Sequence, residues 1–467
     1  MNKKVVKLPR ALSIFTLAMI NVAAIGSVKN WPFTAEYGFS SLFYFVLAAL
    51  VFFFPISLVS AELATSWPKK GGVYLWVKEA FGPKWGFLAI WLQWVENIPW
   101  YPTVLSFTAS TIAYIFNPDF SNNVTYTVLV VIILYWGATI VNLFGMKTSG
   151  WISDLGAFCG SLIPGTLIII LGFFWFFGGS PLQIEFSWNN LIPDFTLEHM
   201  VFFTGVVLAF CGMEMSAVHA LDVRDPQKNY PKAILISAVL ILGLSILGVI
   251  SISMVVPQKE ISLTAGTMQA FSVFLNRYHL KPLIPFIATL MTIGLFGSVS
   301  TWIIGPTKGL LAAGLEGHLP VLLHKTNDKQ APVALMILQG IIVTILALMF
   351  LLMPSVSSAF WILTVLVAQL YLLMYILVFA AALRLRYKKP DVVRPYRIPG
   401  GKPGMWLVSG LGILGSTFAL LIGYLPPSQI EIGNRFFYSM FLAMGSLIGC
   451  VTPFIILLFK KPNWSKK

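Results

Sequence analysis

AMINVAAIGSVKNWPFTAEYG, residues 18–38, lies in an apolar stretch long enough to cross a bilayer but does not read as one continuous helix. The small residues Ala23, Ala24, Gly26 and Ser27 are followed by Lys29, Asn30, Trp31 and Pro32, all at membrane depth. Pro32 has no N–H and suits the first turn of a restarted helix, while Gly26 and Ser27 tolerate unwound backbone. Backbone without internal hydrogen bonds persists in hydrocarbon only where it lines a cavity or is buried in protein. The stretch therefore predicts a broken transmembrane helix beside an internal site. Ala24, Gly26, Ser27, Lys29 and Asn30 are its candidate substrate contacts.

The rest of the chain supplies the membrane context. Of 467 residues, 57% are apolar and only 10% charged, far from the balance of a soluble domain. Twelve apolar segments of spanning length cover 11–37, 40–64, 84–114, 124–145, 151–178, 198–221, 231–256, 283–311, 332–353, 358–384, 404–425 and 436–459. The net charge of +14 raises nucleic-acid binding as an option, but the Lys and Arg residues concentrate in alternate loops. That bias places both termini in the cytoplasm through the positive-inside rule, and nucleic acid drops out as a partner. The organisation expected is an N-terminal segment 1–10, a five-helix unit 11–178, a second one 198–384, two further helices over 404–459 and a tail 460–467.

The sixth helix repeats the theme of the first. It reads AFCGMEMSAVHALD from Ala209 to Asp222, with Gly212 beside Glu214 near mid-span. The two interrupted helices open successive sets of five, and broken helices in matching positions of two inverted repeats mark a substrate site at the bilayer midplane. The fold class expected is thus an all-α polytopic membrane protein, a LeuT-type 5+5 inverted repeat with broken helices 1 and 6 and two C-terminal helices. Half-helix N-termini suit a carboxylate and unwound carbonyls suit an ammonium, so the geometry favours a zwitterion such as an amino acid. Enzyme chemistry finds little footing: no Gly-rich phosphate loop or nucleophile elbow occurs. Cys159, Cys211 and Cys450 show no zinc or disulfide spacing, the five histidines show no metal-ligand spacing, and no cofactor is implied.

Charges inside the spans are costly and need partners. Lys29 in the first helix and Glu96 in the third, in WLQWVENIPWYPT from Trp91 to Thr103, are expected to pair beside the site. Glu214 either accepts an ammonium or a proton, or braces loose N–H groups; Cys211 adjoins it. Trp94, Trp100, Tyr101 and Trp302 are candidates for an aromatic wall, of which Trp302 is carried forward as a site residue. Glu62 and Asp154, near helix ends, are expected to reach the interface or cap a helix. The run RLRYKKPDVVRPYR, Arg384 to Arg397, is read as topogenic, with anionic lipid as an alternative partner. No histidine falls in a break, so any acid response is expected to follow Glu96, Glu214 or the substrate.

Four ordered motifs carry a family resemblance: SAELATSWPKKGGVYLWVKEAFGPKWGF (Ser60 to Phe87), FCGMEMSAVHALDVRDPQKNYPKA (Phe210 to Ala233), GPTKGLLAAGLEGHLP (Gly305 to Pro320) and RPYRIPGG (Arg394 to Gly401). They resemble the signatures of the amino acid–polyamine–organocation transporter superfamily, and SMVVPQKEISLTAGTMQAF (Ser253 to Phe271) is most similar to its glutamate/GABA antiporter branch. The resemblance implies a secondary transporter in the cytoplasmic (inner) membrane that exchanges an amino acid for a related one or its decarboxylated amine by alternating access. A proton-coupled uptake permease is the alternative, and a non-transporting amino acid sensor a more distant one. The helix 1 break of that branch is aromatic and acidic where this chain has Lys29 and Asn30, an acidic residue of its helix 8 falls at Ser298, and its long C-terminal plug is absent here. Fold therefore transfers from the resemblance, and glutamate/GABA specificity does not.

Overall fold

A computed structural model describes residues 12–67, 71–144, 158–193, 195–219 and 225–465 of the chain. The architecture is all-helical, and ten helices among the described residues are long and apolar enough to cross a membrane, from Gly38–Ser66 to Arg435–Leu458. The two expected spans outside that set are the first and the third, and each is interrupted. The first runs as Ile14–Ile25, then a 3-10 turn Val28–Asn30, then Trp31–Ala35. The third divides into Pro83–Val95 and Asn97–Phe116 at Glu96, because Pro99 lacks the N–H that would bond the Val95 carbonyl and Pro102 withdraws another. The predicted starts at Ala11 and 151, Asp154, and residues 220–224 of the sixth-helix motif lie outside the described residues.

Two helices were not expected as packed elements. Gly72–Phe81 joins the second and third spans. Gly266–Arg277, between the seventh and eighth spans, buries Met268, Phe271, Phe274 and Leu275, so that loop is part of the core.

The outer half of the first helix is held by its aromatics. A Cβ on Gly248 of the seventh helix would lie 2.4 Å from the Trp31 ring, and one on Gly165 of the fifth 2.9 Å from it, so the indole occupies a notch made by two absent side chains. Phe33 covers Gly205 of the sixth helix in the same way, at 2.7 Å. Pro32 sits in the first turn of the restarted helix. The fifth and eighth helices meet backbone to backbone, where a Cβ on Gly294 would lie 2.0 Å from the Gly160 nitrogen.

At the lysine- and arginine-rich end, three of the sequence motifs are tied together. Glu62, buried near the end of the second helix, accepts from Arg386 Nε at 2.7 Å, Arg386 Nη2 at 2.5 Å and the Ile398 N–H at 2.8 Å, and Arg394 lies 3.3 Å away. Glu62 therefore faces inward instead of reaching the interface. Lys389 pairs with Glu79, and Lys388 donates to the Ala80 carbonyl at 3.2 Å. Arg386, Lys388, Lys389 and Arg394 are thus occupied within the chain, which disfavours the alternative of anionic lipid as partner for these four residues. Across the same end, Lys78 and Tyr74 bond Glu316 at 2.6 and 2.5 Å. Burial opposes ionisation of Glu316, but these two donors outweigh it and hold the carboxyl below its ordinary range. The tail's Trp464 is buried, and Ser465 pairs with the Glu316 backbone.

Two outcomes follow from this packing. Glu62→Gln leaves Arg386 uncompensated in a buried position and is expected to cost about 3–5 kcal/mol, read as a fall in melting temperature of the detergent-purified protein. Gly248→Ala overfills the Trp31 notch and should cost about 1–3 kcal/mol. A Trp31→Leu replacement in the same chain is expected to recover part of that loss, and additive losses would show that the notch is not the cause.

Candidate functional site

The two breaks touch each other. The first helix ends at Gly26, whose N–H donates to the Val22 carbonyl at 2.8 Å, and Ser27 is extended before the chain re-enters a helical turn. In the sixth, Phe203–Leu208 gives way to a turn at Gly212 and then the 3-10 stretch Met213–His219. Gly212 has φ +116, a region open to glycine and strained for any other residue. A Cβ there would lie 3.3 Å from Ile25 of the first helix. Restarted turns leave their first N–H groups without intrahelical partners, and the two breaks bring such groups into one buried region.

The tenth helix, Val356–Lys388, braces the sixth-helix break. Tyr371 and Tyr375, four residues apart and stacked with ring centroids 4.9 Å apart, present both hydroxyls to one place, as helical spacing requires. The Gly212 N–H donates to the Tyr375 hydroxyl at 2.6 Å. Tyr375 in turn donates to Glu214 Oε2, Tyr371 donates to Glu214 Oε1 at 2.6 Å, and Gln93 Nε2 donates to the same oxygen at 3.3 Å. Glu214 is thus a buried carboxylate enclosed by three donors. Of the two roles open to it, the bracing one has direct geometric support.

Lys29 is placed differently from expectation. Its side chain is 2% exposed, and it forms no ion pair with Glu96. The ammonium donates instead to Thr103 Oγ1 at 3.4 Å and lies 5.6 Å from the Phe360 ring and 5.8 Å from that of Trp100. Thr103 is seven residues beyond Glu96, about 10 Å along a helix axis, so Lys29 reaches past the carboxylate and not to it. The charge of Glu96 is nonetheless near enough to act on both Lys29 and Glu214. Among the described residues the Glu96 carboxylate accepts one side-chain hydrogen bond, from Asn97 at 2.6 Å.

The remaining candidates fall around these groups. Ser27 and Asn30 are on the first-helix break; Asn30 Oδ1 is buried and has no hydrogen-bond partner among the described residues. Ala24 belongs to the helix that ends at the break. Cys211 is buried and free, one residue before Gly212. Trp302 packs on Trp100 with centroids 5.7 Å apart, and its carbonyl accepts from Tyr101 at 2.8 Å. Trp94 and Tyr101 are both fully buried. The sequence reading missed Gln93, Thr103, Phe360, Tyr371 and Tyr375. Only the tyrosines left a signal, two phenols at i and i+4 in an otherwise apolar segment.

A polytopic helical membrane protein whose two broken helices meet in a buried, charge-bearing centre is built as a carrier for small polar solutes. The amino acid permease family profile matches residues 11–446, and the chain belongs to that family. It is 44% identical to an uncharacterized transporter of Legionella pneumophila, over 96% of each chain. It is 32% identical to a glutamate/gamma-aminobutyrate antiporter of Lactococcus lactis, over 96% of this chain and 90% of that one. A probable agmatine/putrescine antiporter of the same species is 25% identical over 83% of this chain and 82% of its own length.

Tyr375→Phe tests the brace. It strands the Gly212 N–H and removes one donor from Glu214, at an expected cost of about 1–3 kcal/mol. Tyr371→Phe should cost less, because Glu214 Oε1 keeps Gln93. Thermal unfolding of the two purified variants measures the order, and a larger loss for Tyr371→Phe would contradict it.

Proposed function

We propose that the protein is an amino acid antiporter of the cytoplasmic (inner) membrane, exchanging an amino acid for a related amino acid or its decarboxylated amine. The five-helix units 11–178 and 198–384 form its inverted repeats, and one helix bundle rocks against the rest around a central site. The observation that carries this reading is the contact of the two helix breaks at Ile25 and Gly212. Backbone polarity at that point of a membrane protein is tolerated where it serves a cavity or a ligand. Ala24, Gly26, Ser27, Lys29, Asn30, Glu96, Cys211, Gly212, Glu214 and Trp302 are assigned to the site. The relatives named as antiporters support exchange over uptake. The basic bias of alternate loops supports cytoplasmic termini.

Proton-coupled uptake is the second reading, and Glu96 is the observation in its favour. A buried carboxyl with one side-chain donor is a place where proton uptake changes the charge of the site, whereas Glu214 is committed to its three donors.

Counterflow in proteoliposomes separates the two. An antiporter takes up labelled amino acid only when the lumen holds substrate, while a symporter responds to an imposed proton gradient with an empty lumen. A Gly212→Leu variant should insert in the membrane and lose substrate binding altogether, since φ +116 excludes the side chain. Measured from about pH 4.5 to 8, where histidine ordinarily titrates, the transport profile should survive replacement of each histidine and change in Glu96→Gln. A profile flattened by a histidine variant alone would overturn the assignment of the acid response to a carboxyl.

A further inference from the structure

We infer that Lys29 is the carboxylate-binding residue of the site, and that its lack of a direct ion-pair partner among the described residues makes exchange obligatory and restricts it to substrates bearing a carboxylate. The inference rests on the antiporter reading above and deepens it. The ammonium is buried within the bundle, on the turn immediately after the first-helix break. Its hydrogen-bond partner, the Thr103 hydroxyl, is at the outer limit of bonding distance at 3.4 Å. That hydroxyl already donates to the Trp100 carbonyl at 2.7 Å, which leaves its lone pairs for the ammonium. The two nearby aromatic faces, Trp100 and Phe360, offer a quadrupole in place of a charge. Glu96 acts on Lys29 from a distance, and its carboxylate and that of Glu214 are bonded to other groups. An internal structural lysine in a membrane protein is expected to be paired; this one is held by groups that would equally well surround a lysine engaged with an incoming anion.

The placement of these weak partners gives the inference its mechanistic content. Thr103 and Trp100 belong to the third helix and Phe360 to the tenth, whereas Lys29 belongs to the first. Displacement of the first helix against the third withdraws the ammonium from Thr103 and Trp100. An empty carrier makes that passage with a buried cation that has no direct ion-pair partner among the described residues. A loaded carrier makes it with a carboxylate attached, so its return is fast and the empty return slow, which is the condition for antiport. Asn30, on the same turn, has a buried carbonyl oxygen without a hydrogen-bond partner among the described residues, an acceptor suited to the substrate's ammonium. Decarboxylation products qualify as counter-substrates only if one carboxylate remains.

The test uses the full chain in proteoliposomes with labelled L-glutamate, L-alanine, gamma-aminobutyrate and putrescine as probes, each loaded inside and offered outside. For the wild type, exchange is expected among carboxylate-bearing probes only. Efflux into substrate-free buffer should be at least about tenfold slower than exchange, the imprint of a buried charge without a direct partner. Lys29→Met is expected to weaken carboxylate binding at least about tenfold and to raise efflux into substrate-free buffer toward its own exchange rate. Lys29→Arg should keep exchange strict. Wild-type affinity and slow empty return in Lys29→Met would overturn the assignment, as would wild-type exchange of putrescine as fast as gamma-aminobutyrate. That last comparison needs no variant and decides the matter even if Lys29→Met does not fold. If the wild type exchanges none of the amino acids, the antiporter reading itself fails and takes this inference with it; if it exchanges them strictly but Lys29→Met is unaffected, only the role of Lys29 falls.

Discussion

The hydrogen bond from the Gly212 N–H to the Tyr375 hydroxyl, with its continuation into Glu214, satisfies a constraint on which the centre of the molecule depends. Unwinding a helix in the membrane interior exposes peptide groups with no water to receive them, and each must be met by protein or ligand. Here the answer comes from a neighbouring helix: Tyr375 accepts from the backbone and passes the bond on to a carboxylate that Tyr371 and Gln93 also hold. Because the hydroxyl is both acceptor and donor, the break, the carboxylate and the tenth helix are energetically one unit, and such linked bonds polarise one another in a low dielectric. The first-helix break leans on this unit through the contact of Ile25 with Gly212.

A second polar knot organises the opposite requirement, rigidity at the membrane surface. Glu62 joins the second helix to the end of the tenth and to the segment Arg394 to Gly401, while Glu79 and Glu316 draw Gly72–Phe81 toward the tenth and eighth helices. Three stretches that stand out in the sequence at widely separated positions are therefore parts of one assembly, joined through mutual charge satisfaction. An ion pair as enclosed as Glu62 with Arg386 contributes little net stability compared with an apolar substitute, but losing one member is severe. It specifies where the loop docks.

The fold was largely legible because its determinants are local. Apolar length sets the spans, and Gly26, Pro32 and Gly212 announce the breaks through backbone chemistry that no tertiary context overrides. The kink at Glu96 was equally local, since Pro99 and Pro102 lie in plain view, but it was read only as a charge position. The site was less legible because its geometry depends on which residues from distant helices share a level. Nothing near Lys29 in sequence states that its side chain spans to Thr103, seven residues past the carboxylate that charge alone would select. Nor does the apolar run around Tyr371 and Tyr375 reveal that both phenols aim at the sixth helix. Pairing by opposite charge is a weak guide inside a bundle, where the reach of a side chain along the helix axis decides its partner.

The fifth helix carries two glycines with opposite mechanical meaning. At Gly165 the Trp31 indole is seated in a socket closed on its other side by Gly248, so the outer half of the first helix meshes with the fifth and seventh like a tooth in a gear. One and a half turns earlier, Gly160 lies bare against Gly294 of the eighth helix, with no side chain interposed on either surface. A meshed contact transmits displacement, and a bare one offers few ridges to resist rotation or glide. The fifth helix thus presents an interlocked face to the first and seventh helices and a bare backbone face to the eighth, two contacts of opposite steric character on one element.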